Sequence, residues 1–158
     1  MPISSIVEQI KQYPCKLVEV TGGEPLLQDD VDELFVALHI LDYTILLETN
    51  GSLYLGDVPD FVVKIVDVKT PGSAMGFSFM KWNLKFLYPQ DELKFVLTNY
   101  IDYQFAQSFI AANKPEVKAI HFSPVTSVLK AETLAQWMLE DGTPAHLSLQ
   151  LHKQIGMR

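Results

Sequence analysis

"KLVEVTGGEPLLQDDVDELFVALHILDYTILLETN", Lys16 to Asn50, decides the fold. Residues 16–20 form a short β-branched run that stops at Gly22, Gly23, Glu24 and Pro25. The segment 29–41, "DDVDELFVALHIL", then puts Val31, Leu34, Phe35, Leu38 and Leu41 on one helical face, with acids in the first turn where the helix dipole favours them. A second β run, "YTILLET" at 43–49, follows at once. Strand, turn, helix and strand in that order imply a crossover connection and parallel pairing.

Outward from this unit the pattern repeats. Further β runs are read at 61–68, 92–98, 117–122 and 145–151, and helices at 101–113 and 128–142, the latter closing on Gly142 as C-cap. With no internal repeat, low-complexity tract or linker, residues 1–158 read as one α/β domain, a mostly parallel sheet with helices outside it.

Composition narrows the function. Twelve Lys and Arg against nineteen Asp and Glu give a net charge of -7, which repels a phosphate backbone and argues against nucleic acid as a partner. No apolar run is long enough to cross a bilayer and "MPISSIVEQI" has no signal-peptide pattern, so the expectation is a cytoplasmic protein without a membrane partner. The sequence holds one cysteine, Cys15, so no multi-thiolate metal site can be assembled from it. Cys15 is expected to be a partly buried small hydrophobe.

In parallel sheets ligands bind beyond the carboxyl ends of the strands. Those ends carry "TGGEP", "ETNGS", "DVKTPGS", "HFSPV" and "QLHK". Gly22 and Gly23 let the backbone approach a ligand or adopt positive φ. Glu24 beside them suits either an ammonium ligand or the cap of the next helix, and the spacing leaves both open. "ETNGS" reads as an Asn-Gly turn, and Asp67 and Lys69 project to one side of a strand where they can pair.

Taken together, "TGGEPLLQ", "ETNGS", "DVKTPGS", "DELKFVLTNYIDY", "FSPV" and "LQLHKQIG" resemble, in order and spacing, radical S-adenosylmethionine (SAM) enzymes, and specifically the 7-carboxy-7-deazaguanine synthases of the queuosine pathway. The resemblance implies a partial (β/α) barrel that lacks its first strand. It implies a lyase in which a reduced [4Fe–4S] cluster cleaves SAM to a 5′-deoxyadenosyl radical. That radical removes a hydrogen from 6-carboxy-5,6,7,8-tetrahydropterin, whose ring then contracts and expels ammonia.

The resemblance also implies roles. Gly22, Gly23 and Glu24 receive the methionine ammonium of SAM. Thr49, Asn50 and Ser52 form a second contact set, Asp67 and Lys69 clamp polar parts of the cofactor, and Phe122, Ser123 and Pro124 line its adenine side. Thr21 neighbours the pterin substrate, and His152 and Lys153 belong to a terminal segment that closes on it. No residue here is assigned a catalytic or metal-ligating role. The family's Cys-x3-Cys-x2-Cys loop has no counterpart in this sequence, nor does the threonine that serves Mg2+. "MPISSIVEQI" resembles the helix after that loop, so the chain reads as the later part of a longer protein, inactive alone. An edge left open by a lost strand predicts a homodimer. Two other readings stay in view: a radical SAM enzyme of the activating type, which shares "GGEP" without "LQLHK", and a non-catalytic small-molecule-binding module.

Overall fold

The computed structural model describes residues 1–73, 78–149 and 156. Among these, six strands form one sheet: β1 (Leu17–Val20), β2 (Thr44–Thr49), β3 (Val62–Asp67), β4 (Glu92–Leu97), β5 (Ala119–Pro124) and β6 (His146–Leu147). They lie side by side in chain order and every neighbouring pair is parallel, where the sequence suggested mostly parallel. The sheet does not close on itself: β1 and β6 are its edges, as in a partial barrel.

Helix α1 (Ile3–Ile10) precedes the sheet, α2 (Val31–Ile40) joins β1 to β2, α3 (Tyr100–Asn113) joins β4 to β5, and α4 (Ala131–Glu140) joins β5 to β6. The β2–β3 link is a loop, and the β3–β4 link carries a 3₁₀ segment, Lys81–Phe86. Asp32 and Glu33 occupy the first turn of α2, where their charge meets the unpaired amides. The Asn99 side chain accepts from Asp102 N and caps α3. α4 has Asp141 as its C-cap, one position before the Gly142 that the sequence suggested, with Gly142 itself next at φ +58°. β6 is much shorter than the run 145–151, and β5 extends past 122 through Pro124.

Because sequential parallel strands with crossovers of one hand keep their helices on one face, the two side-chain parities of each strand meet different surroundings. One parity is the core. Ile45, Leu47, Val62, Val66, Leu93, Phe95, Leu97 and Phe122 are essentially fully buried and join Phe35 and Leu38 of α2, Tyr103 and Ala106 of α3 and Leu134 of α4. Phe95 meets Phe109 and Phe122 edge-on, with ring centroids at 5.5 and 5.6 Å. Each such side chain removed from water contributes about 1.5–3 kcal/mol. Lys64 shares this parity and is also fully buried, its Nζ 3.0 Å from Asp91 Oδ2. The other parity, with Glu19, Thr21, Glu48, Asp67, Lys94, Val96 and Ser123, faces away from the core and lines a cavity.

Cys15 is exposed, contrary to the sequence expectation. It follows Pro14 just before the edge strand, and its Sγ contacts only Leu17, at 3.4 Å from N and 3.6 Å from O. No helix among the described residues is long and apolar enough to cross a membrane.

Candidate functional site

The cavity lies at the carboxyl ends of the strands and encloses about 630 Å³. Its rim begins at the turn after β1. Gly22 and Gly23 take φ +100° and +60°, and a Cβ on either would meet nothing within 4 Å, so both are kept by the backbone path and open space lies beside them. Gly23 lines the cavity.

Glu24 turns inward and is 8% exposed. Its Oε1 accepts from Leu26 N at 3.3 Å and from Thr49 Oγ1 at 2.8 Å, and its Oε2 accepts from Asn50 N at 2.8 Å. The capping expectation is therefore met, though on the short 3₁₀ turn Pro25–Leu27. The same carboxylate ties the β1 turn to the β2 turn. Three of its roughly four acceptor positions are filled, which leaves capacity for one further donor on Oε2.

"ETNGS" is the turn it was read as, and more. Asn50 Oδ1 accepts from Ser52 N at 2.8 Å, Gly51 N donates to Thr49 Oγ1 at 3.1 Å, and Gly51 sits at φ +64°. Thr49 and Asn50 reach the cavity wall, whereas Ser52 serves the turn. Asp67 and Lys69 pair at 2.5 Å as their shared parity predicts, inside the cavity wall at 19% and 26% side-chain exposure. That pairing uses Asp67 Oδ2; buried Oδ1 has no partner. Ser123 Oγ, fully buried on β5 in the same cavity lining, also has none. Two desolvated polar atoms lacking partners on one cavity mark places where a polar ligand group would be stabilised.

Phe122 and Pro124 do not flank Ser123 in the cavity. They fall on the alternate parity and are buried on the helix side, Phe122 against Phe95 and Tyr103. Of "FSP" only Ser123 lines the site. His152 and Lys153 lie outside the described residues.

The structure adds residues that the sequence reading passed over. Glu48 accepts from Lys94 Nζ at 2.7 Å and from Thr21 Oγ1 at 3.0 Å, forming a charged floor with Glu19 nearby. Beside it, Glu92 accepts from His121 Nε2 at 2.8 Å and pairs with Lys118 at 3.2 Å. The signal was present: in "TILLET", "ELKFVL" and "AIHFSP" the polar residues stand at alternate positions inside otherwise apolar runs.

The fit to the implied cofactors divides. Open glycine backbone, an unfilled Oε2 position on Glu24 and the unpartnered Asp67 Oδ1 and Ser123 Oγ suit the amino-acid and ribosyl groups of SAM. A [4Fe–4S] cluster does not fit the residues present: the sequence has one cysteine, and among the described residues no three His, Cys, Asp or Glu converge on a metal position.

No family model matches the chain. The 7-carboxy-7-deazaguanine synthase of Koribacter versatilis is 41% identical over 160 residues, covering 92% of this chain and 71% of the relative. That of Chlorobaculum tepidum is 37% identical, covering 98% and 72%. Among solved structures, the crystal structure of QueE from Escherichia coli superimposes with TM-score 0.73 at 18% identity over 95% of this chain and 64% of that one. Streptococcus suis SuiB bound to S-adenosylmethionine gives 0.61 over 94% and 41%. At such identities the structural likeness concerns the fold alone.

Proposed function

The chain belongs to the 7-carboxy-7-deazaguanine synthase family, and from that premise we propose that its cavity is the SAM and pterin site of a radical SAM lyase in 7-deazaguanine and queuosine biosynthesis. The observation that carries the site assignment is the pair of unpartnered buried atoms, Asp67 Oδ1 and Ser123 Oγ, on the lining of one cavity. Its volume falls in the range of small-molecule sites.

In this reading the amino-acid end of SAM lies over Gly22 and Gly23, where backbone groups and the remaining acceptor position of Glu24 receive the ammonium. Glu24 mainly holds the turn against Thr49 and Asn50. Asp67 Oδ1 and Ser123 Oγ each bind a polar group of the nucleoside, and Lys69 orients Asp67 through its bond to Oδ2. The pterin lies on the floor made by Thr21, Glu48 and Lys94, whose alternating donors and acceptors match a ring edge that carries both. When bound, SAM supplies the radical chemistry; the residues here bind, orient and exclude water. Thiolates for a cluster and any Mg2+ ligand must come from outside these residues. Within the same proposal the protein is cytoplasmic and homodimeric, with β1 as the contact edge.

Ser123→Ala provides a clean test, because its hydroxyl has no protein partner and its loss costs the fold little. Weak SAM binding to the full chain, followed by ligand-observed NMR, should weaken about fivefold in Ser123→Ala and comparably in Asp67→Asn, as expected for one lost hydrogen bond. Equal binding in all three proteins refutes the assignment.

A further inference from the structure

Asn83 does not line the cavity, yet it is fully buried and uses its amide entirely on the chain that leads to it. Its Nδ2 donates to Gly51 O at 2.9 Å and to Leu53 O at 2.7 Å, and its Oδ1 accepts from Leu55 N at 3.0 Å. Met80 N adds a 2.9 Å bond to the same Gly51 O. Phe79 closes over the turn from the other side: a Cβ on Gly51 would fall 2.6 Å from Phe79 Cδ2. The residues thus clamped, Gly51 to Leu55, continue directly from Thr49 and Asn50, whose hydroxyl and amide grip the Glu24 carboxylate.

From this chain of contacts we infer that Asn83 is a positioning residue for the cofactor end of the cavity. It fixes Gly51, which fixes the Asn50 amide and Thr49 hydroxyl, which hold Glu24 and with it the Gly22–Gly23 turn. Neither an acidic nor an aliphatic side chain does this work in its place. Asp offers no donors while ionised and so leaves Leu53 O without its bond, Leu leaves the buried Leu55 N without an acceptor as well, and with either Gly51 O keeps only the bond from Met80 N. The 3₁₀ segment from Lys81 to Phe86 therefore acts as a strap across the β2 turn, with Asn83 as its fastening. The inference deepens the SAM-site reading above and rests on it for its ligand.

The test separates positioning from plain stability. In Asn83→Asp, shape and the bond from Leu55 N survive while both donations are lost. The Asn50 amide, hydrogen-bonded to a carboxylate, should shift upfield in the variant's NMR spectrum and exchange faster, and SAM affinity should fall about tenfold, as for a lost buried hydrogen bond propagated to the ligand. Leu134→Ala, a core change in α4, serves as the control: it lowers the Tm, yet should move neither the Asn50 signal nor the affinity. In the unmodified protein, the amides of Asn50 and Leu55 should exchange with one common opening, which needs no variant to observe. Independent opening of the two, or an Asn83→Asp protein with wild-type Asn50 signal and wild-type affinity, overturns the inference. A moved signal with unchanged affinity also overturns it, while the SAM reading stands. Failure of the wild-type chain to bind SAM removes the SAM reading and the inference together, and is seen before any variant is made.

Discussion

Removing Asp91 is predicted to be the most damaging single truncation in this protein. Lys64 and Asp91 are both 0% exposed at their side chains and 3.0 Å apart. Asp91 carries more than the ion pair: Oδ1 accepts from Lys64 N at 2.8 Å and Oδ2 from Tyr88 N at 2.8 Å. Lys64 has, beyond Asp91, the face of Tyr88 at 4.7 Å. Asp91→Ala strands a buried ammonium and two buried amides together, which amounts to about 5 kcal/mol once overlap between these losses is allowed for. Lys64→Met strands a carboxylate that keeps both amide donors, so its cost should be about 3 kcal/mol. The double variant Lys64→Met/Asp91→Asn carries no charge but keeps one accepting oxygen for two amides, so it should recover the charge part of the loss and stay about 1–3 kcal/mol below wild type, for the one amide left unpaired. Urea titration followed by Trp82 and Trp137 fluorescence measures all three. A domain of ordinary stability, about 5–15 kcal/mol, survives the double variant comfortably and Asp91→Ala barely. If Lys64→Met costs as much as Asp91→Ala, or if the double variant is no better than Asp91→Ala, the assignment of the loss to uncompensated charge and orphaned amides is wrong.

Other consequences can be measured separately. Burial alone would raise the Asp102 carboxyl, but hydrogen bonds from the Thr98 hydroxyl and amide, the Gly72 amide and the Thr70 hydroxyl outweigh it and hold its pKa below the ordinary aspartate value. A depressed carboxyl stabilises fully above the unfolded value, about 3.9, and that stability disappears as pH falls through the folded value; Asp102→Asn should flatten the urea midpoint against pH below about 4, and an unchanged acid slope would count against the network. Gly51→Ala faces both φ +64° and the Phe79 ring, so its Tm should fall well below that of Gly142→Ala, where φ is +58° but nothing lies within 4 Å; the strain and clash together cost about 1–3 kcal/mol, and equal Tm values would contradict the contact. Tyr103→Phe removes a hydroxyl lying 2.9 Å from Asp141 Oδ2 and 2.7 Å from Thr143 Oγ1; the expected loss is about 1–2 kcal/mol, with faster amide exchange at the end of α4, and unaltered exchange there would show the network to be idle.

The sequence made the strands and crossover helices readable because β-branched runs and apolar faces of helical period are strong local signals. The end of β5 was missed because proline suggests a stop, yet Pro124 stands last in its strand opposite Leu97, where a missing amide is tolerated. "AHLSLQL" at 145–151 alternates as a strand does, but among the described residues only His146 and Leu147 pair in register with β5, with one further bond from Ser148 N to Phe122 O at 2.9 Å. For the site, residues of the turns and of the strand-end motifs, Thr49, Asp67 and Ser123 among them, were recognised, while Glu48 and Lys94 were not. Glu48 and Lys94 sit inside runs that read as core, and only the register that places them on one face makes them neighbours. Phe122 shows the converse, being part of a recognised motif yet on the wrong parity to reach the cavity. Asn83 left no local trace at all, because its role is defined by backbone atoms 28–32 residues away.

In the central strands, the side chains that line the cavity and those that hold the fold alternate along one backbone. Change by substitution and change by length therefore act very differently on this protein. Replacing Glu19, Glu48 or Lys94 retunes what the cavity accepts and leaves Ile45, Leu47 and Phe95 untouched. Deleting one residue at the start of β4 would rotate Lys94 into the helix interface and Phe95 into the cavity, losing chemistry and core in one step. New substrate preferences are thus within reach of single-codon changes, whereas insertions and deletions are confined to connections such as the loop between β2 and β3. Even there the three bonds of Asn83 hold Gly51 to Leu55 and the buried Val58 and the stacking of Phe61 on His39 hold the far end, so the exposed Gly56 and Asp57 are where that connection can best change length.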